Sequence, residues 1–349
     1  MATPTKVALC GAGWISMAHA AAARQLGFEL TAVASRTPER AAKVTETFGG
    51  EAITYAELPA GADVVVVATP PQCHADDTIR LLDAGCSVLL EKPLCRTLAE
   101  ADAIVAAAAR NGQRLLYAEN LAYAPIVQRM VALASRVGSP THLEVRSLQG
   151  LPTWGDFTSD EWGGGALFDL GVHPLSVAML LANACGLGRP VAVSALLRGG
   201  TDHDSDEHAE VLLRYRSGFT ASVISSWQAG PEPLWDAQLA GNDGVVRADL
   251  LPVQRLEFNG DEVALPAAKS AIPALDQLGY SAQLQALVDD VAAGQTPIMS
   301  AAFGREVLQV VLAAYSSAGS GDETRRGNEV ELPFTGPPDL TPLELWRRG

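Results

Sequence analysis

Near its start the chain passes from an apolar, β-rich run, Lys6–Cys10, into Gly11-Ala12-Gly13-Trp14-Ile15-Ser16, which opens the helix-like stretch Trp14–Gln25. A strand that turns through glycines into a helix leaves few options. Gly11 permits the tight turn, and Gly13 lets backbone amides approach an anion at the helix start. The same rhythm then repeats. Residues 30–35 read as a second strand, and 38–48 as a helix with proline near its start. Asp63-Val-Val-Val-Val-Ala68 is a continuous apolar run, as in a strand buried on both faces of a parallel sheet. Helices at 73–84 and 97–110 and strands at 86–90 and 114–118 continue the pattern. Such alternation means right-handed crossovers and a doubly wound parallel sheet.

After about residue 122 the rhythm changes. A helix over 124–137 and a strand over 142–149 are followed by a loop, 150–165, rich in Gly and Trp. A helix over 166–184 comes next. Strands at 191–197, 209–215, 220–227, 235–240, 244–249 and 256–259 then crowd together, with Tyr215-Arg-Ser-Gly218 as a hairpin turn. Helices over 277–293 and 302–318 complete the pattern. The expectation is an α/β domain over residues 1–121 and an α+β domain over 122–349. The second would hold a large, mostly antiparallel open sheet covered by helices on one face.

Composition narrows the function classes. Twenty-five basic residues against 40 acidic ones give a net charge of −15, which disfavours nucleic acid and anionic membrane surfaces as partners. No run approaches the ~20 apolar residues of a spanning helix. The apolar stretch after Lys6 imitates a signal peptide, but Gly11, Gly13 and His19 interrupt it. Five widely spaced cysteines with no C-x-x-C pair fit reduced thiols in a cytoplasm.

The glycine turn is the G-x-G-x-x-G fingerprint of dinucleotide binding in its proper strand–turn–helix context, with Ser16 in place of the third glycine. An NAD-selective site places a carboxylate after the second strand. Here Ser35, Arg36 and Arg40 stand there, able to receive a 2′-phosphate, so NADP is favoured over NAD. Alternatively, Arg36 stacks on the adenine and tolerates either.

Two further loops fall at the C-terminal edge of the expected sheet, where such folds bind ligands. One is Thr69-Pro70-Pro71-Gln-Cys-His74; the other is Glu91-Lys92-Pro93. Lys92-Pro93 is a place for a cis peptide, although trans is the ordinary expectation. Further on, Gly163-Gly-Gly165-Ala-Leu-Phe-Asp169-Leu-Gly-Val-His173 puts Asp169 and His173 four residues apart, on one face if helical.

These motifs, with His19, Asn120, Pro125 and the late Ala313-Ala-Tyr-Ser-Ser-Ala318, resemble the Gfo/Idh/MocA family over nearly the whole chain. The resemblance implies an N-terminal Rossmann domain and a nicotinamide-dependent oxidoreductase in which Lys92, Asp169 and His173 surround the reacting carbon. Histidine rather than tyrosine at 173 points to the inositol-dehydrogenase-like branch. Ser176 stands where the family often has a further acid.

Physical chemistry assigns compatible roles. Oxidising a secondary alcohol needs a base for the hydroxyl proton, and an imidazole, with an ordinary pKa of about 6.5, suits that task. A lysine ammonium can stabilise the developing alkoxide. Asp169 can position a substrate hydroxyl, tune Lys92 or orient His173, or serve only as a carboxylate at a helix start. Trp154 and Trp162, and more weakly Tyr123, are candidate walls of a sugar-sized pocket or simply loop packing. Asp202-His-Asp-Ser-Asp-Glu-His208 imitates a metal cluster but reads as a solvated turn, so no metal is expected. Few basic residues flank the expected site, which favours a neutral sugar or polyol. A dinucleotide sensor without turnover and a redox-assisted glycoside hydrolase or lyase with a recycled cofactor are the competing functions. The uncovered face of the second sheet predicts a homodimer or homotetramer.

Overall fold

The computed structural model describes residues 4–112, 114–319 and 327–348. Its first half alternates β1 (Lys6–Cys10), α1 (Trp14–Gln25), β2 (Glu29–Ala34), α2 (Pro38–Phe48), β3 (Glu51–Ile53), β4 (Val64–Val67), α3 (His74–Asp83), β5 (Ser87–Glu91), α4 (Leu98–Arg110) and β6 (Leu115–Ala118). All six strands pair in parallel, in the order β3-β2-β1-β4-β5-β6, which is the Rossmann arrangement. The four valines of β4 are buried, consistent with helices on both faces. Each contributes roughly 1.5–3 kcal/mol relative to exposure. β3 was not foreseen from the sequence. It is a three-residue edge strand with two exposed residues, too short to carry an alternation signal.

The chain continues with α5 (Pro125–Ala134), β7 (Pro140–Leu148), α6 (Ala166–Asp169), α7 (Val172–Ala184), β8 (Pro190–Gly199), β9 (Asp206–Tyr215), β10 (Thr220–Ser226), β11 (Leu234–Gly241), β12 (Val245–Leu251), β13 (Arg255–Phe258) and β14 (Asp261–Glu262). It ends with α8 (Pro273–Gln277), α9 (Tyr280–Ala292), α10 (Ala301–Ala318), β15 (Val330–Glu331) and α11 (Pro342–Arg348). Strands β7 to β15 form one nine-stranded sheet, in which β7 and β10 are the one parallel pair among the described residues. Alternating residues such as Val145, Val211, Leu213, Val223, Ala237 and Leu239 are buried, and α5, α6 and α7 pack on the sheet. The hairpin at Tyr215–Gly218 forms as expected, closed by Gly218 N–H donating to the Tyr215 carbonyl at 2.9 Å.

Two compact units result. One comprises Met1–Cys95, Ala99–Ala124 and Ala268–Arg305; the other Arg96–Leu98, Pro125–Ala267 and Glu306–Gly349. The expected division at 121/122 therefore differs from the observed one, because residues 268–305 return to the first unit. The return is specific: Asn120 Nδ2 donates to the Leu278 carbonyl at 2.7 Å, and Tyr117 N–H to the Met299 carbonyl at 2.7 Å. The helix expected over 277–293 forms as α9, with the short α8 before it and Gly279 between them in the left-handed region (φ 81°), where a Cβ would lie 2.2 Å from the Asn120 carbonyl oxygen.

Candidate active site

In the first unit, the residues singled out in sequence lie at the C-terminal ends of parallel strands. Gly11 has φ 116°, and a Cβ there would lie 2.5 Å from the Ala68 carbonyl oxygen, so β1 can leave the sheet this closely only through glycine. Gly13 is different: a Cβ at that position meets nothing within 4 Å. It stands at the N-terminus of α1 with no side-chain cap, at the end of a helix where the dipole favours an anion. Ser16 is buried and donates its hydroxyl to the Gly11 carbonyl at 3.1 Å, closing the turn where a third glycine would only have left room. Ala12 and Ile15 are half-buried, and Trp14 is exposed. A dinucleotide pyrophosphate fits this uncapped helix start.

Beyond β2, Ser35 is half-buried and Arg36 and Arg40 are exposed. Ser35 Oγ accepts from Thr37 N–H at 3.1 Å. Tyr55, which sequence reasoning passed over, lies next to Arg36. Burial pushes its phenol up to about 12, with Cys10 and Asp77 adding to the rise and Arg36 opposing it.

The loops after β4 and β5 are joined by His74. Its Nε2 is 2.7 Å from the Thr69 carbonyl oxygen and its Nδ1 2.9 Å from the Pro93 carbonyl oxygen. The ring is buried, and burial lowers its pKa despite those carbonyls. His74, expected among the cofactor-binding residues, has its two ring nitrogens facing these two backbone carbonyl oxygens. Thr69 donates its hydroxyl to Asp77 Oδ2 at 3.0 Å; Pro70 is half-buried and Pro71 buried. Lys92-Pro93 is cis, and Lys92 is half-buried. Glu91, also expected to line the cofactor site, is buried. Its Oε1 is 2.6 Å from His19 Nε2, and Oε2 accepts Lys92 N–H at 3.1 Å. Burial alone would raise this carboxyl, but the His19 hydrogen bond and charge, with that of Lys92, hold it below its ordinary range. Asn120 is buried against Leu278, and Tyr123, at the end of the turn after β6, belongs to this unit.

The second unit carries Asp169 and His173. The helix expected over 166–184 is broken at Leu170–Gly171. Gly171 N–H reaches back five residues to the Ala166 carbonyl (2.9 Å), and His173 N–H only three, to Leu170 (3.2 Å). Asp169 thus ends α6 and His173 begins α7, at 2% and 7% exposure. Leu170 and Gly171, between the two helices, stay in the right-handed helical region, so the chain keeps winding through the break. Trp235, on the buried face of β11, has its ring centred 5.3 Å from that of His173. It was placed in a strand by its sequence but not in a site. Trp162 packs edge-on against Phe157 (4.6 Å) in a cluster with Ala166, Leu170 and Trp227, while Trp154 is exposed.

The Asp202–His208 run is not a solvated turn throughout. Ser205 and Asp206 are fully buried. Among the described residues no three His, Cys, Asp or Glu side chains are grouped to hold a metal.

A doubly wound sheet whose first helix opens on an uncapped glycine defines a dinucleotide-binding protein, and comparison with known proteins narrows the class. The family model for oxidoreductases with an NAD-binding Rossmann fold (GFO_IDH_MocA) matches residues 5–119, and the GFO/IDH/MocA C-terminal domain model matches 127–247. The chain belongs to the Gfo/Idh/MocA family and is an NAD(P)-dependent oxidoreductase. One relative is a dTDP-3,4-didehydro-2,6-dideoxy-α-D-glucose 3-reductase of Actinomadura kijaniata, 35% identical over 234 residues, spanning 64% of this chain and 68% of that one. Another is D-xylose 1-dehydrogenase (NADP(+)) 2 of Haloferax volcanii, 28% identical over 84% of this chain and 90% of its own. Among solved structures, GenD2 from gentamicin A biosynthesis in complex with NAD superposes with a TM-score of 0.81 at 26% identity, covering 95% of this chain and 97% of that one.

Proposed function

We propose that the protein interconverts a secondary alcohol and a ketone on a neutral sugar or polyol, with His173 as the acid/base. The observation that carries this reading is the placement of Asp169 and His173. Two buried polar side chains flank a helix break beside Trp235, an unusual commitment for a structural pair. A bound nicotinamide supplies the hydride acceptor or donor. His173 takes the hydroxyl proton in oxidation and returns it in reduction. Lys92 stabilises the oxygen as charge develops on it. Asp169 positions a second substrate hydroxyl. The amides of the α1 first turn hold the pyrophosphate, and Arg36 with Ser35 receives a 2′-phosphate, favouring NADP.

A panel of sugars and polyols screened for reduction of NADP and NAD tests the reading. His173→Ala should lower turnover at least ~10²-fold on any substrate found, with NADPH binding retained; unchanged turnover removes His173 from the mechanism. Cofactor that is never released during turnover would favour the redox-assisted hydrolase or lyase instead.

The nine-stranded sheet supports a homodimer or homotetramer. Leu196 and Leu212 are 57% and 51% exposed, and register places them on adjacent strands with Ile224 diagonal to Leu212. Light scattering that gives a stable monomer would end that proposal. None of the five cysteines forms a disulfide, and burial raises the thiols of Cys10, Cys86 and Cys185, which supports a reducing, cytoplasmic setting.

A further inference from the structure

Helix α6, which ends on Asp169, is only four residues long and begins at Gly165, a residue with no side chain to cap it. Four residues cannot hold a helix by themselves. The caps come from elsewhere in the chain. Leu167 N–H donates to Asp206 Oδ2 at 2.8 Å, so a carboxylate 39 residues downstream does what an aspartate at the cap position would do locally. Gly165 N–H donates to the Tyr315 hydroxyl at 3.1 Å, and that hydroxyl in turn donates to Asp206 Oδ1. Both side chains are fully buried. A Cβ on Gly165 would lie 2.3 Å from both the Asp206 carbonyl oxygen and Oδ1, so the glycine is the shape of the Asp206 seat.

We propose that Asp206 and Tyr315 form a clamp that positions the segment from Gly165 to His173, and through it the carboxylate and imidazole that do the work. The inference rests on Asp169 and His173 being the working pair. The donor count explains the choice of aspartate. Two donors, Leu167 N–H and the Tyr315 hydroxyl, converge on one side chain, and a carboxylate has an acceptor oxygen for each. Asparagine has one acceptor oxygen and must present its NH₂ to the other donor. Phenylalanine at 315 leaves Gly165 N–H without its acceptor and Asp206 without its phenolic donor. Both residues are positioning residues, since they act on the reaction only through the backbone that carries Asp169 and His173.

The test uses Asp206→Asn and Tyr315→Phe in the full chain, with amide hydrogen exchange, NADPH affinity and steady-state kinetics measured on each. Exchange over residues 164–171 should quicken about tenfold, with the rest of the second unit unchanged. On a substrate the wild type oxidises, kcat should fall roughly 10- to 10²-fold while NADPH affinity holds. Unchanged exchange over 164–171 in both variants overturns the clamp. So does acceleration spread evenly over the second unit, which marks a general loss of stability. A wild type that turns over no sugar or polyol removes the activity reading, and the exchange data still decide the clamp.

Discussion

The two glycine-led segments of this chain are built in opposite ways. The turn from β1 into α1 is tied to the neighbouring strands by backbone, Gly11 N–H donating to the Ala34 carbonyl at 2.9 Å, and its side-chain bond is local: Ser16 bonds back to Gly11 five residues away. The Gly163–Gly165 segment leading into α6 is closed by Asp206 and Tyr315, 39 and 150 residues distant in sequence. The side chain that closes a turn of the first kind comes from its own strand–helix pair. A segment of the second kind takes its geometry only once β9 and α10 have packed around it.

Glycine substitutions break this comparison most directly. Gly11→Ala and Gly165→Ala each force a Cβ into backbone at 2.5 Å and 2.3 Å and should cost roughly 3 kcal/mol or more of local stability. Gly11→Ala should abolish NADPH binding. Gly165→Ala should keep it and lose turnover, as separate titration and kinetic assays would show; loss of both functions in either variant would mean the two segments are not independent.

Asp206 sharpens the contrast through pH. Burial raises its carboxyl from 3.8 to about 6, against the Tyr315 and Leu167 hydrogen bonds and the nearby charge of His203. The stability it contributes is therefore complete below 3.8 and is lost as pH climbs through 6. Asp206→Asn does not titrate. Urea unfolding should show the variant gaining about 2 kcal/mol relative to wild type between pH 4 and pH 8, and a constant difference would contradict the burial argument. Ser16→Ala removes one neutral hydrogen bond to the Gly11 carbonyl and should cost only about 1 kcal/mol. Between these lies Arg36→Ala, expected to weaken NADPH about tenfold more than NADH, or roughly 1.4 kcal/mol; equal loss for both cofactors would remove the phosphate role.

The same contrast explains what the sequence made legible. Apolar period and glycine context place β1, α1 and α2 at their observed bounds, because those elements obey rules written within ten residues. Lys92, Asp169 and His173 stood out by residue type and spacing. Asp206 did not, because a carboxylate among Asp202, Asp204 and Glu207 looks solvated until its partner on α10 is known. The break at Leu170–Gly171 was hidden too, since glycine inside an apolar helical pattern signals a cost but not a split. Trp235 was visible as a strand residue, and only the pairing of β11 with β7 turns it toward His173.

His74 has a further consequence. Its two nitrogens face two carbonyl oxygens, and a neutral imidazole owns a single N–H. One tautomer donates to Thr69 and the other to Pro93, so moving one proton across the ring moves the single hydrogen bond from the loop after β4 to the loop after β5. The nucleotide edge therefore contains a two-position element whose states differ by a hydrogen rather than by a displaced backbone, and the nitrogen chemical shifts of that one ring would report which state prevails when the dinucleotide binds.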